Sequence, residues 1–503
     1  MTYAADAENI DAIIPGVTAS YAALKSLDST GLQTSTGSFY NHTLFGRDAS
    51  NAAKFVSDFD HDIVKETIVA LATFQGTENN PLTQEQAGRI HHEYRNFKTW
   101  KGTLFEKLPF WILGSKWGIK DDRLLSYFSL DTTASFIRLT HKHVSHIDAA
   151  ILQKQVINHH GQVRTVQESV EAAAEWIMDK IDDKGLIGEK QSNHYALPFQ
   201  TYQDSLYARQ NGELADYHNN ITYVEVQALC ADALHDMAHM LPDHKMSHVW
   251  RKTALRMQQA MLEQFSDERG FLASAIDSRG VIDVANVSAA WTLNTSLWAE
   301  MSQHDQQKYV TGVVEKLFSD EFLTPVGLRS RAKSTTDPIT KTLDYHGSET
   351  VWPMFSFMAV EGLRRHRLHG LANQLEHRII NGLNAIGDFP EFIIVTRDDT
   401  VIVPSRDRAM RRLDVQMKPE RTIAFSVVPA MVMGHRAATK PRYSEPNAWQ
   451  RELDERILAT ISRVTRAEPS HAMNVVGKYE YRHLRRWSST IRTMYYFWSQ
   501  RRR

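Results

Sequence analysis

Residues 351–363 read VWPMFSFMAVEGL, and residues 423–433 read IAFSVVPAMVM. Wound on a 3.6-residue period, each stretch is apolar on nearly every face. A helix apolar all round has to be covered on both sides. Residues 224–241 join this class, with one stripe through Val224, Ala228, Ala231 and Leu234 and another through Val226, Leu229, Ala233 and Met237. A second class is amphipathic. Val163, Val166, Val170, Ala174, Ile177 and Ile181 recur at steps of three and four, as do Leu371, Leu375, Ile379 and Leu383. The two classes follow one another, as 221–241 then 243–266 and 351–363 then 370–386. That order suits an inner ring of helices buried on both sides within an outer, half-exposed ring. A stacked solenoid would show the same alternation, but no fixed-period self-similarity accompanies it.

The surrounding sequence agrees with an all-α chain that has little β structure. Polar loops of unequal length, at 76–125, 184–220, 319–350 and 388–420, separate the helical pairs. Long loops inside compact domains are usually functional. No Gly/Ser-rich or Pro-rich linker divides the chain, so residues 1–503 read as one domain with short extensions at each end. With 503 residues, 42% of them hydrophobic, the chain can bury a sizeable core. A formal net charge of −1 supplies no global field for nucleic acid or an anionic membrane. Arg482, Arg485 and Arg486 read as a solvated face, and Arg501-Arg502-Arg503 as a frayed basic end. The single cysteine, Cys230, excludes an intrachain disulfide and a thiolate metal cluster. No run approaches the roughly 18 apolar residues of a membrane span. The first residues lack a basic stretch followed by a long apolar one, so the expectation is a soluble, cytoplasmic protein.

Chemistry gathers in the loops. Phe45-Gly46-Arg47-Asp48 stands ahead of an amphipathic run starting near Ala52, where an Arg-Asp pair would serve as a helix cap with a salt bridge. Gly88-Arg89-Ile90-His91-His92-Glu93-Tyr94-Arg95 holds paired histidines beside a glutamate, without the spacing of a metal frame. His235 and His239 lie four apart on a helix and are read the same way. Asp131, before Thr132-Thr133, suits a helix N-cap. Thr201-Tyr202-Gln203-Asp204-Ser205 is followed by Glu225-Val226-Gln227, a carboxylate and an amide on a doubly buried helix that must find partners there. Tyr345-His346 and Val351-Trp352-Pro353 open another buried helix, and Glu391 in Phe389-Pro390-Glu391-Phe392 is flanked by apolar residues. In a helical toroid such loops converge at one mouth. Carboxylates, Arg, His and aromatic faces are what a sugar demands, and glycosidic hydrolysis needs one carboxylic acid and one carboxylate.

These clusters resemble, in order, the amylo-α-1,6-glucosidase (glycogen debranching) glucosidase domain and related (α/α)6-barrel, or six-hairpin, glycosidases. The eight matching pieces run from Leu44-Phe45-Gly46-Arg47-Asp48 through Gly88–Arg95, Asp131-Thr132-Thr133, Gln203-Asp204-Ser205, Val224-Glu225-Val226-Gln227, Gly327-Leu328-Arg329-Ser330 and Tyr345-His346 with Val351-Trp352-Pro353 to Phe389-Pro390-Glu391-Phe392. The resemblance implies an (α/α)6 barrel, with Asp204 as general acid and Glu391 as general base. It implies that Arg47 and Asp48 hold hydroxyls in the cleaved subsite. Glu93, Asp131, Glu225, Gln227, Arg329, His346 and Trp352 would line the same pocket. Departures are Tyr202 where relatives commonly have Trp, an extra residue that introduces Glu349, Lys418-Pro419-Glu420-Arg421 before the last inner helix, and no large N-terminal β domain. They spare the catalytic pair and leave a short α-glucoside or oligosaccharide as open a choice as glycogen.

The expected reaction is an inverting single displacement on an α-linked glucoside, with no metal or organic cofactor. Two other readings stand beside it. One is a phosphorylase on the same fold, for which Arg397, Arg406, Arg408 and Arg411 would supply cations. The other is a catalytically inactive carbohydrate-binding or scaffold protein, which retention of both carboxylates argues against.

Overall fold

The structure, a computed structural model, describes residues 7–25, 31–37, 40–203, 207–335, 345–402, 419–467 and 475–476. Asp204 therefore lies outside the described residues, as do Arg406, Arg408, Arg411 and the C-terminal arginines.

Fifteen α-helices lie among the described residues, joined by loops and by strands of two to four residues. The first five are α1 (Ala7–Ile13), α2 (Val17–Lys25), α3 (Gly46–Val56), α4 (His61–Thr73) and α5 (Leu104–Leu113). Next come α6 (Thr132–His146), α7 (Val166–Lys180), α8 (Val224–Met240), α9 (Ser247–Phe265) and α10 (Ala289–Leu293). The last are α11 (Gln303–Leu317), α12 (Pro353–Arg365), α13 (His369–Ile386), α14 (Ala424–Thr439) and α15 (Ala448–Ala467). None of the described helices is long and apolar enough to cross a membrane.

Six of these helices pass contact around a closed cycle: α3 packs on α6, α6 on α8, α8 on α10, α10 on α12, α12 on α14, and α14 on α3. Other helices pack against these six, α4 against α3 and α6, α7 against α6 and α8, α9 against α8, α11 against α10, and α13 against α12. Burial follows the two sequence classes in α8, α14 and α9, whereas α3, read from its sequence as amphipathic, is buried at every residue except Lys54. Every residue of α8 except His239 is buried, and so is α14 from Ala424 to Gly434. In α9 the buried residues form one stripe from Trp250 through Ala254, Met257 and Met261 to Phe265. The paired segments expected at 221–241 with 243–266, and at 351–363 with 370–386, are α8 with α9 and α12 with α13.

One boundary differs. The sequence places the first helix of this core near Ala52, whereas α3 begins at Gly46, with Arg47 and Asp48 in its first turn. Polar residues there suggest a loop because their burial is invisible without the neighbouring elements. Gly46 is what allows it: its N–H donates to the His92 carbonyl at 2.9 Å, and a Cβ would stand 2.3 Å from the His91 carbonyl oxygen.

Short strands set the starts of three ring helices. Thr43–Phe45 leads directly into α3 and pairs antiparallel with Glu93–Asn96, which pairs in turn with Arg123–Ser126. Ile221–Tyr223 leads into α8 between Gly188–Glu189 and Ala275–Asp277. Thr350–Val351 precedes α12 and pairs with Ile393–Val395, the strand just after Glu391. Backbone pairing therefore fixes where each first turn sits.

Candidate active site

The site grows from the first turn of α3. Arg47 donates from Nη1 to Asp131 Oδ2 at 3.4 Å, and its Nε lies 3.6 Å from Asp48 Oδ1. All three side chains are buried. Asp131 occupies the N-cap position of α6 but makes no side-chain capping bond. Its carboxylate instead accepts from Ser129 Oγ and faces Arg47. In place of the capping bond expected for Asp131, its carboxylate pairs with a buried guanidinium, a charge-assisted contact stronger than one to a neutral amide.

Glu225, in the first turn of α8, is fully buried. Thr201 Oγ1 donates to its Oε1, and Oε2 has no hydrogen-bond partner among the described residues. Burial pushes this carboxyl from 4.5 up to about 8; the Asp131 charge adds to the rise, while the Thr201 bond and Arg47 oppose it. Glu225 is therefore a neutral acid at pH 7, able to donate as well as accept.

An aromatic wall adjoins these groups. Tyr202 stacks on Trp291 at 5.0 Å and meets Phe355 edge-on at 4.4 Å. His346 stacks on Trp352 at 4.7 Å, and Trp352 on Phe355 at 5.1 Å. Burial, with the charges of Arg331 and Arg47, holds His346 well below the usual imidazole range, so it is neutral. Burial and the Glu225 charge raise the Tyr202 hydroxyl well above the ordinary tyrosine value. The Arg47 charge acts on Glu225, Tyr202 and His346 alike.

Glu391 is buried in the segment after α13. Tyr345 donates its hydroxyl to Oε1, and the Glu420 N–H reaches Oε2 at 3.3 Å. The backbones are joined as well, Glu391 N–H to the Glu420 carbonyl at 2.8 Å. Tyr345 packs edge-on against Trp352 at 4.8 Å, linking this carboxylate to the aromatic wall.

Three residues expected in the pocket bond to other groups of the protein. Gln227 exchanges two bonds with the backbone of Ile187, each 2.7 Å, and donates to the Tyr223 carbonyl at 3.0 Å. Arg329 is fully buried and donates to the carbonyls of Ser348 (2.6 Å), Val395 (2.9 Å) and Thr396 (2.6 Å), and to Asp399. Glu93 accepts from Arg95 Nε at 2.7 Å. A buried amide or guanidinium with this many backbone partners is a structural clamp. Of the arginines that a phosphate site would use, Arg397 is described, and it donates to the Thr335 carbonyl at 3.0 Å.

The structure adds residues that the sequence reading did not single out. Asn286 forms a reciprocal amide pair with Gln203, the last described residue before Asp204, with Gln203 Nε2 to Asn286 Oδ1 at 2.7 Å. Trp291 and Arg331 complete the wall. The segment 284–292, VANVSAAWT, has no polar cluster to draw notice. Its one signal is the demand of a buried Gln203 for an amide partner.

No family model and no curated protein matches this chain. Solved structures do. The GH63 mannosylglycerate hydrolase from Thermus thermophilus in complex with glucose is 14% identical, with a TM-score of 0.54 over 83% of this chain and 99% of that one. The same hydrolase with Tris and D-glycerate gives 13% identity and a TM-score of 0.55 over 84% and 99%. A protein described as wild-type glycosidase gives 12% and 0.52 over 86% and 98%. At such identities the likeness is one of fold. The chain shares the predominantly helical fold of these glycosidases across nearly their whole length.

Proposed function

We propose that this protein is an inverting glycoside hydrolase built as a single (α/α)6 barrel, acting on an α-linked glucoside or short oligosaccharide. The observation that carries the reading is the burial of Arg47, Asp131, Glu225 and Glu391 together with the packed Tyr202, His346 and Trp352 rings. It pairs hydrogen-bonding groups for hydroxyls with aromatic faces for a pyranose ring. The closed cycle of six helices with packed partners supports the barrel. The glucose complex of a fold neighbour supports a hexose in the site.

In this mechanism Glu391, ionised, takes a proton from the water that attacks the anomeric carbon. Asp204 gives its proton to the departing oxygen as the glycosidic bond breaks, so an α-linked sugar leaves as the β-anomer. Asp204 is assigned from its motif, and it follows directly on the fixed amide of Gln203. Asp48 and Asp131, aligned by Arg47, and neutral Glu225 would hold hydroxyls in the cleaved subsite. Gln227, Arg329 and Glu93 act as supports for the walls.

The test is turnover on a panel of α-disaccharides and mannosylglycerate, with and without inorganic phosphate, followed by proton NMR before mutarotation. Phosphate-independent hydrolysis with the β-anomer first is the expected result. Dependence on phosphate would replace the hydrolase with a phosphorylase. An α-anomer appearing first would overturn single displacement.

A further inference from the structure

A second cluster lies outside the candidate active site. The hairpin of strands Gln155–Ile157 and Val163–Thr165 carries two adjacent histidines in its turn. Both approach the same oxygen of Glu85: His159 Nε2 and His160 Nε2 each lie 3.4 Å from Oε1. One donor atom from each of the three residues falls within 4.8 Å of the other two.

The hydrogen bonds leave one buried nitrogen of this arrangement without a partner. His159 Nδ1 faces the Thr73 carbonyl at 3.4 Å, and a carbonyl can only accept. With Nδ1 donating to that carbonyl, Nε2 is left facing a carboxylate oxygen. That nitrogen is buried and has no hydrogen-bond partner. Two electron-rich atoms face each other at 3.4 Å, and a cation between them removes the repulsion. A metal answers it well. In a tetrahedral site with metal–ligand bonds of about 2.0–2.1 Å, neighbouring ligands stand roughly 3.3–3.4 Å apart. Both nitrogen–oxygen separations match that edge.

The donors are also held in advance. His159 N–H bonds the Thr73 carbonyl at 2.9 Å, at the end of α4. Asn158 Oδ1 accepts from the N–H groups of His160 (3.1 Å) and Gln162 (2.9 Å), and Gly161 turns the chain at φ +79°. Glu85 Oε1 accepts from Thr77 N–H at 2.9 Å. A carbonyl fixing the far nitrogen of a ligating histidine is the usual support of a metal site. His160 is exposed, so solvent reaches the fourth corner.

We propose that Glu85, His159 and His160 bind a divalent transition-metal cation of the zinc class, clipping the 155–165 hairpin to the 76–88 loop. Two imidazoles and one carboxylate select such an ion over magnesium or calcium, which take oxygen ligands.

The full-length chain, stripped with a chelator and dialysed, is titrated with Zn²⁺ by calorimetry and with Co²⁺ by visible absorption. One Zn²⁺ per chain is expected, with the intense visible bands of four-coordinate Co²⁺ and a higher Tm in the presence of Zn²⁺. Glu85→Gln, His159→Gln and His160→Gln should each weaken binding at least about tenfold and abolish the Tm rise. His160 is exposed, so His160→Gln keeps the test valid if a buried variant fails to fold. His235→Gln, in the Asp232–His235–Asp236 cluster, should leave the titration unchanged. Binding that survives His160→Gln, binding lost instead in His235→Gln, or no binding by the wild-type chain would overturn the site.

Discussion

Replacing Glu225 by Gln should make the unliganded protein more stable at neutral pH. The carboxyl is fully buried, and burial raises it to about 8, against 4.5 for an unperturbed glutamate. Below pH 4.5 both folded and unfolded chains hold it protonated, and it costs nothing. As pH rises from 4.5 to 8 the unfolded chain releases the proton and the folded chain keeps it, so stability falls by about 1.4 kcal/mol per pH step. At pH 7 the accumulated penalty is roughly 3 kcal/mol, a sizeable share of a protein's usual net stability. Glutamine has nearly the same shape, can still accept from Thr201 Oγ1, and does not titrate. The assay is urea unfolding of both proteins at steps between pH 5 and pH 8. The variant should exceed the wild type by about 0.7 kcal/mol at pH 5 and by roughly 3 kcal/mol at pH 7, with a flatter pH profile. Parallel profiles across that range, or a variant less stable at pH 8, would mean that Glu225 is charged in the folded state and that the reasoning is wrong.

Three further outcomes are expected. Asp204→Asn and Glu391→Gln should each lower hydrolysis at least about 10²-fold while the circular dichroism stays that of the wild type, the loss typical of a missing general acid or base. Arg329→Lys should destabilise by about 3 kcal/mol in thermal unfolding, since an ammonium cannot span the Ser348, Val395, Thr396 and Asp399 acceptors from one buried position. Gly46→Ala puts a methyl 2.3 Å from the His91 carbonyl oxygen and 2.5 Å from Thr132 Cγ2. It should cost about 1–3 kcal/mol and raise KM, because α3 must shift and carry Arg47 away from Asp131.

Helix class was legible in the sequence because burial on both sides leaves a compositional mark. The stretches at 224–241, 351–363 and 423–433 could not be surface helices, and α8, α12 and α14 are ring members. The short helix α10 left no such mark, since the five residues from Ala289 to Leu293 are too few to show a period. Glu225 stood out as well, because a carboxylate on a doubly buried helix needs a partner, whereas Arg47 and Asp131 read by themselves as helix-end residues and gained site roles only from the family resemblance. Which partner each one takes was settled by tertiary structure alone. Gln227 and Arg329 have the same chemistry as a sugar-binding amide and guanidinium, yet their bonds go to Ile187 and to the 395–399 loop. The Glu85–His159–His160 cluster brings together residues more than seventy positions apart, which neither periodicity nor local spacing can register. The reason is common to all three cases. A sequence carries each side chain's hydrogen-bonding capacity and the faces that must be buried, whereas the direction and occupancy of a polar group depend on backbone brought near it by distant segments.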